Sequence, residues 1–455
     1  MTQHKIVKIP DWVTPESENF LTEIGKDGWE LVHLYNQHAY MKSSAAGTLS
    51  SGSLSLAVDA FGRTRVSEPF TLGDYKHIYG IEDQLFINKV NGDGAITDTI
   101  NRSSVKLSAT SSVSYAIHQS KMYHHYMPGK SQTIFSSFVF GAPVSGSTKR
   151  TGYYDDYNGI FLEQDATGSL QFVIRSATNG TGSVTEQRVK QESWNVNTLL
   201  DGEFILDVTK TQLFYVDFQW LAVGRVRCGF VHKGITIMCH VFDHTNILDV
   251  AYMQNPNLPI RCEIRNSVNA SSSMEQICTT VVSEGGYSES GKAFSVSNES
   301  FRALSSGSTL PVLAIRLKDS VNGLPNRAFV RIQEAAIFTD QQTVRYVLTK
   351  LPSGSMLTTG SAWISIDDDS VVEYNVSGTA YSDGKPLLTG FVGANSLNIN
   401  QANPLVQNQS GVGNKQNFIA QNYNSTDSEI YVLVAKNMTA NTTNIGGTML
   451  WSEIY

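Results

Sequence analysis

Gln212-Leu213-Phe214-Tyr215-Val216-Asp217-Phe218-Gln219-Trp220 is the stretch on which the fold turns. Leu213, Tyr215, Asp217 and Gln219 alternate with Phe214, Val216 and Phe218, so both alternating sets carry apolar bulk. Successive strand side chains point to opposite faces, and a strand apolar on both faces lies inside a sheet, covered on each side. Gly224 then permits a tight connection, and Val226, Cys228 and Phe230 alternate inward. Arg225 and Arg227 share the other face. Pairing with Asp217 or Glu263 is the plain expectation for them, and holding an anionic ligand is the sharper one. Lys233-Gly234 turns the chain into Ile235–Phe242.

Outward from this centre, strand signals recur at 136–140, 170–174 and 204–208, with turn residues such as Asn158-Gly159 between strands. Strands in series at such spacing indicate a sandwich or barrel. A helix-like stretch stands around 335–348. After Pro352-Ser353-Gly354 the composition moves to Ser, Thr, Asn and Gly. Strands return at 363–366, 387–392, 430–435 and 448–454.

The first residues read differently. Lys5–Ile9 suits a short half-buried strand. Thr14-Pro15-Glu16 offers a helix cap, a first-turn proline and an acid favourable to the helix dipole. Phe20, Leu21 and Ile24 follow at helical spacing, and Gly28 stops the helix. Trp29–Tyr35 and 39–42 form a hairpin through Asn36-Gln37. The segment Ser43–Ser55 is a small-residue linker without the apolar surface to offset ordering entropy.

The expected fold class is therefore mainly β: jelly-roll-like β-sandwich domains preceded by a small β-α-β-β domain. The expected divisions are 1–42 for a small α+β anchor, 43–56 for a linker, 57–350 for a β-sandwich and 351–455 for a C-terminal β domain. Trp12, Phe20, Leu21, Ile24 and Trp29 are the candidate anchor or interface residues.

Composition narrows the function classes. The 455 residues are only 16% charged, against about 25% in ordinary globular chains. Net charge is -7 and no block of five Lys or Arg occurs, which argues against a sequence-independent grip on nucleic acid. No run of 18 apolar residues or signal-peptide core is present, so no membrane partner is expected. Cys228, Cys239, Cys262 and Cys278 form no CxxC pair and read as buried free thiols.

Several segments together resemble a widespread family of tailed-bacteriophage virion structural proteins. They include Asp59-Ala60-Phe61-Gly62-Arg63, Pro128-Gly129-Lys130-Ser131-Gln132 and Thr148-Lys149-Arg150-Thr151-Gly152-Tyr153. Asp155-Asp156, Asn158-Gly159-Ile160-Phe161 and Glu163-Gln164-Asp165 continue the series, and Asn255 to Arg261, Val282 to Tyr287 and Leu450-Trp451-Ser452-Glu453 complete it. The stretch Gly25 to Val32, with Tyr40-Met41-Lys42, resembles a small family of sheet-plus-helix domains. The virion resemblance implies a particle component of the neck, collar, tail-fibre or head-surface kind. It implies partnership with copies of itself and with other virion proteins, and location in the virion.

Chemical motifs are few. Gly129-Lys130-Ser131 lacks the first glycine of a phosphate loop, since His124 stands there. His124 and His125 are strand neighbours and point apart. Cys239, His240 and His244 fit no closed zinc spacing. Asp155, Asp156, Asn158, Glu163 and Asp165 form an oxygen-rich stretch that suits calcium by type, although solvated turns are the plainer expectation there and at Asp367-Asp368-Asp369. No nucleophile elbow occurs. Expected cofactors, metal ligands and catalytic residues are none, and the chain is expected not to be an enzyme. A host-glycan adhesin is the alternative, with Tyr153, Tyr154 and Tyr157 as exposed rings for a glycan or a second subunit. A polysaccharide depolymerase is set aside because no long β-helix repeat is visible.

Overall fold

A computed structural model describes residues 69–178, 183–286, 291–359, 361–393 and 418–455, and the backbone of strands 2–8, 30–35 and 38–44. The chain divides into two units, Met1–Arg65 and Val66–Tyr455.

In the first unit, Thr2–Lys8, Glu30–Tyr35 and His38–Ser44 make a three-stranded antiparallel sheet with the last strand in the middle. The two strands expected to form a hairpin do pair, with Tyr35 opposite His38, and Asn36-Gln37 lie outside the described residues. The expected helix, and Trp12, Phe20, Leu21, Ile24 and Trp29, lie outside the residues whose side chains are described.

The second unit holds two sandwiches. In the first, a seven-stranded sheet runs in the order Thr185–Lys190, Leu170–Ser176, Gly159–Gln164, Ser147–Tyr154, Ile260–Asn266, Tyr115–Ser120, Phe86–Asn91. Its partner is an eight-stranded sheet containing Gln212–Phe218, which lies between Ser131–Val139 and Val226–His232. The central place expected for this strand is thus the observed one. The inner faces meet in one core, where Phe172, Phe214, Phe230 and Trp194 pack against Val226, Cys228 and Ile264. Burial of such side chains contributes about 1.5–3 kcal/mol each, the dominant stabilising term. Among the described residues there is no α-helix, only the short 3-10 turns Ile100–Arg102 and Gln191–Ser193.

The second sandwich pairs a five-stranded sheet around Phe329–Thr339 and Thr443–Ile454 with a six-stranded sheet around Thr309–Leu317 and Ile430–Asn437. Trp451 is fully buried in its core, and its indole N–H donates to Glu453 at 2.9 Å. Glu453 also accepts from the Ser370 hydroxyl at 2.6 Å and the Val371 N–H at 2.8 Å.

Three expectations need correction. The helix-like stretch at 335–348 is two strands, Phe329–Thr339 and Val344–Leu351. Alternation of Val330, Ile332 and Val344, Tyr346, Leu348 into the core outweighs the local helical propensity. The boundary at 350 falls inside a sheet, because Val344–Leu351 pairs with Ile430–Asn437. The second sandwich begins near Lys292, whose strand pairs with the last one. The stretch 204–208 is loop, with the Val208 carbonyl accepting from the Phe140 and Gly141 N–H groups.

Candidate functional site

The seven-stranded sheet has one face on the core and one face outward, and the outward face carries an unusual set of charges. Strand register builds it. Arg150 stands opposite Glu163 on one side and Glu263 on the other, and Glu163 stands opposite Gln171. In the next row Gly152 lies between Phe161 and Arg261, and Val173 faces Arg188. In the third, Arg175 faces Glu186. The period of two places all of these on one face, with Arg265 two residues beyond Glu263.

The ion pairs are short. Arg150 Nε reaches Glu163 at 2.5 Å and its Nη1 reaches Glu263 at 3.1 Å. Arg261 donates to Glu263 at 2.5 Å and to Asp156 at 2.8 Å. Arg265 also pairs with Glu263, Arg175 with Glu186 at 2.7 Å, and Arg188 with both Glu163 and Glu186. Beneath them Tyr154, Phe161 and Val173 form a small apolar floor. The Arg175 guanidinium lies 5.0 Å from the centre of the Phe161 ring, and that of Arg261 lies 5.1 Å from the Tyr154 ring, within cation–π range.

Burial would raise the Glu263 carboxyl pKa, but Arg261, Arg150 and Arg265 outweigh it and hold the group well below the usual carboxylate range. A glycosidase proton donor must stay protonated near neutrality, and Glu263 is therefore unsuited to that role. Around Arg150, Arg175, Arg261 and Arg265 the face sinks into a groove of about 290 Å³, closed on other sides by Asp156, Val184, Glu186 and Glu263.

At Asp156 the groove meets a second cavity, of about 140 Å³, at the junction of the two sandwiches. Tyr123, Asp155 and Tyr157 line it from the first sandwich, and Arg327, Tyr423 and Asn424 from the second. Lys121 in the first sandwich and Lys350 in the second both bind Glu429, at 3.0 and 2.7 Å. Met122 packs against Phe418 and Ala420 beside them.

The candidate residues named from sequence fall in varied places. Tyr153 and Tyr154 were expected as exposed rings, and both are wholly buried. Tyr153 points into the core, where its hydroxyl donates to the His124 carbonyl at 3.0 Å and accepts from the Leu258 N–H at 3.1 Å. Tyr154 is roofed by Arg175 and Arg261. Neither can touch a glycan or a second subunit. Tyr157 is 46% exposed and stays available.

Arg227 pairs with Asp217 at 3.3 Å, as one expectation had it, whereas Arg225 binds Asp243 at 2.7 Å. Glu263 lies on the other sheet. The oxygen-rich stretch does not converge. Asp155 Oδ1 accepts from the Tyr157 and Asn158 N–H groups in one turn, Asp165 caps another, and Glu163 belongs to the outward face. Asp367 likewise closes its own turn through the Asp369 and Ser370 N–H groups. Among the described residues no three His, Cys, Asp or Glu side chains gather to hold a metal. Cys228, Cys239 and Cys262 are buried and Cys278 is exposed, which corrects the expectation for the last. No helix of the described residues is long and apolar enough to cross a membrane.

Sequence reasoning missed the arginine–carboxylate face as a site. One signal was present. In Arg261-Cys262-Glu263-Ile264-Arg265 charges alternate with apolar residues, as on a strand half buried and half functional.

No protein-family model matches the sequence, and no curated protein matches it. Solved structures do. A family 16 glycoside hydrolase of Bacteroides ovatus, solved with a mixed-linkage glucan product, matches at 9% identity and a TM-score of 0.33, over 46% of this chain and 99% of that one. A structure titled for endo-acting O-glycanases of the human gut microbiota that initiate mucin breakdown matches at 12% identity and a TM-score of 0.34, over 47% and 99%. A protein of unknown function from Shewanella oneidensis MR-1 matches at 11% identity and a TM-score of 0.30, over 54% and 100%. Two of the three are titled as glycan-cleaving enzymes, which runs against the expectation that the chain is not an enzyme. That expectation is withdrawn. At such TM-scores the likeness transfers no substrate and no catalytic residue.

Proposed function

We propose that the chain is a structural component of a tailed-bacteriophage virion, assembling as a homo-oligomer at the neck or collar or in a fibre-type appendage. One observation supports this above others. The segments that carry the virion resemblance at 148–165 and 255–261 stand about ninety residues apart in sequence, yet they meet on neighbouring strands. Arg150, Gly152, Asp156, Phe161, Glu163 and Arg261 come from five of those segments, four of them within 148–165 and one at 255–261, and adjoin on the outward face. A shared set of motifs that builds one surface is what a common assembly or recognition role would need.

Leu221, Val223, Ile247, Leu248 and Val250 are exposed on two loops joined by hydrogen bonds from Thr245 to the Val223 carbonyl and from Tyr252 to that of Ala222. An apolar patch of this kind suits a contact with a second copy. The test is a C-terminal tag on the protein in purified particles, located by gold labelling. Label at one defined place, such as the head–tail junction or the appendage tips, is the expected outcome. Particles that carry no label would end this reading.

A second reading, contact with a host-surface glycan, is favoured by the groove itself. It is open to solvent, polar and ringed by fixed donors, as saccharide sites require.

A further inference from the structure

We propose that the groove on the outward face binds the carboxylate of an acidic saccharide, with the sugar ring extending toward Tyr157. The proposal rests on the glycan-contact reading of the groove and not on the particle role.

Hydrogen-bond counting points first to an anion. A guanidinium offers five N–H donors and no acceptor, and an ionised carboxylate only accepts. Five arginines, Arg150, Arg175, Arg188, Arg261 and Arg265, meet four carboxylates, Asp156, Glu163, Glu186 and Glu263, on and beside this face. The carboxylates are already engaged. Glu263 serves three arginines, Glu163 serves Arg150 and Arg188, Glu186 serves Arg175 and Arg188, and Asp156 serves Arg261 and Tyr423. Donors remain. Nη2 of Arg150, Nη2 of Arg175 and both Nη atoms of Arg265 donate to no group among the described residues. Arg261 Nε is buried and has no acceptor either. A donor-rich groove with a formal positive excess is complementary to an acceptor-rich anion, and a planar carboxylate matches the guanidinium fork.

The surroundings point next to a sugar. Where the groove passes Asp156 its lining keeps one guanidinium, Arg327, beside the Asp155 carboxylate and gains the amides and hydroxyls of Gln119, Tyr157, Tyr423, Asn424 and Ser425. Amides and hydroxyls both donate and accept, as the hydroxyl groups of a saccharide demand. The exposed Tyr157 ring offers an apolar face to the C–H side of a pyranose. A ligand with a carboxylate at one end and a hydroxylated ring at the other uses both parts.

The test is calorimetric titration of the full chain with three probes: a hexuronate tetrasaccharide, the same tetrasaccharide with its carboxyls reduced to alcohols, and a glutamate-rich peptide. The hexuronate is expected to bind saturably and more weakly as salt rises, with the other two at least about tenfold weaker, the worth of one charge-assisted hydrogen bond. Arg265→Gln, at a partly exposed position, and Tyr157→Ala are each expected to weaken the hexuronate about tenfold while the protein still unfolds in one cooperative transition well above the titration temperature. Equal binding of the reduced tetrasaccharide or of the peptide would overturn the proposal. So would no hexuronate binding, or binding that Arg265→Gln leaves intact. Failure here leaves the gold-labelling result untouched.

Discussion

The Tyr423 hydroxyl bridges both oxygens of the Asp156 carboxylate, at 2.8 and 2.7 Å, across 267 positions of sequence. The contact joins the second sandwich to the charged face of the first. Burial alone would raise the Asp156 pKa, but Arg261 and this hydrogen bond hold it below its usual range. Asp156 is 46% exposed in its side chain, so solvent screening limits the worth of the contact. Tyr423→Phe is expected to cost about 1 kcal/mol and to speed amide exchange in 421–428. Unchanged exchange there would show that the hydrogen bond does not hold the junction.

Glu263 is the anion on which the outward face depends. It is 1% exposed and binds three guanidiniums. Glu263→Gln leaves those charges crowded in a poorly solvated place, and about 3 kcal/mol of stability should be lost at neutral pH. The sign in acid follows from its lowered pKa. The stabilisation is complete above the ordinary glutamate range, about 4.3, and is lost as pH falls below it toward the folded-state value. Denaturant unfolding of both proteins should therefore differ most near neutrality and converge in strong acid.

A separate acid sensitivity belongs to the histidines. His77 and His118 are both fully buried, with ring centres 5.1 Å apart, and Phe86 stacks on His118 at 4.0 Å. Burial pushes the His77 pKa down from 6.5 to about 4 and that of His118 down as well. The unfolded chain takes up protons first as pH falls, so stability is full above about 6.5 and declines toward about 4. The neighbouring Asp98 opposes the shift at His77. His77→Leu should flatten stability across that window by on the order of 2 kcal/mol. Parallel pH curves for the two proteins would refute the assignment.

Gly152 is the gap in the middle row of the outward face. A Cβ there would stand 2.6 Å from the Ile160 carbonyl oxygen and 2.7 Å from the Phe161 Cα, both backbone. Neither can move without opening the sheet. Gly152→Ala is expected to cost about 2 kcal/mol, read as a lower denaturant midpoint with an unchanged slope.

Ile247 is 68% exposed at the tip of the apolar loop pair. If this patch holds copies together, Ile247→Asp should shift light-scattering mass toward the monomer while leaving the melting temperature of the isolated chain unaltered. An oligomer that survives the substitution places the interface elsewhere.

Much of this protein was legible one residue at a time. Alternation in 212–220 and 226–242 determined strands, and the apolar content of both faces determined that Gln212–Phe218 is central. These are local consequences of a period of two. Arg227 found Asp217 because they occupy directly opposed positions on neighbouring strands. The error at 335–348 has the same origin, since a short apolar run satisfies helical and strand spacing alike until a partner strand is known. Tyr153 and Tyr154 illustrate the limit further. Adjacent in sequence, they point to opposite faces of one strand, and only the packed core on one side and the arginines on the other decide that both are buried. The outward site was beyond any local reading. Arg150, Glu163, Arg175, Glu186 and Arg261 lie on five strands, and no block of charge marks them. Their meeting depends on which strands pair and in what register, a property of long-range contacts that the order of residues alone does not display.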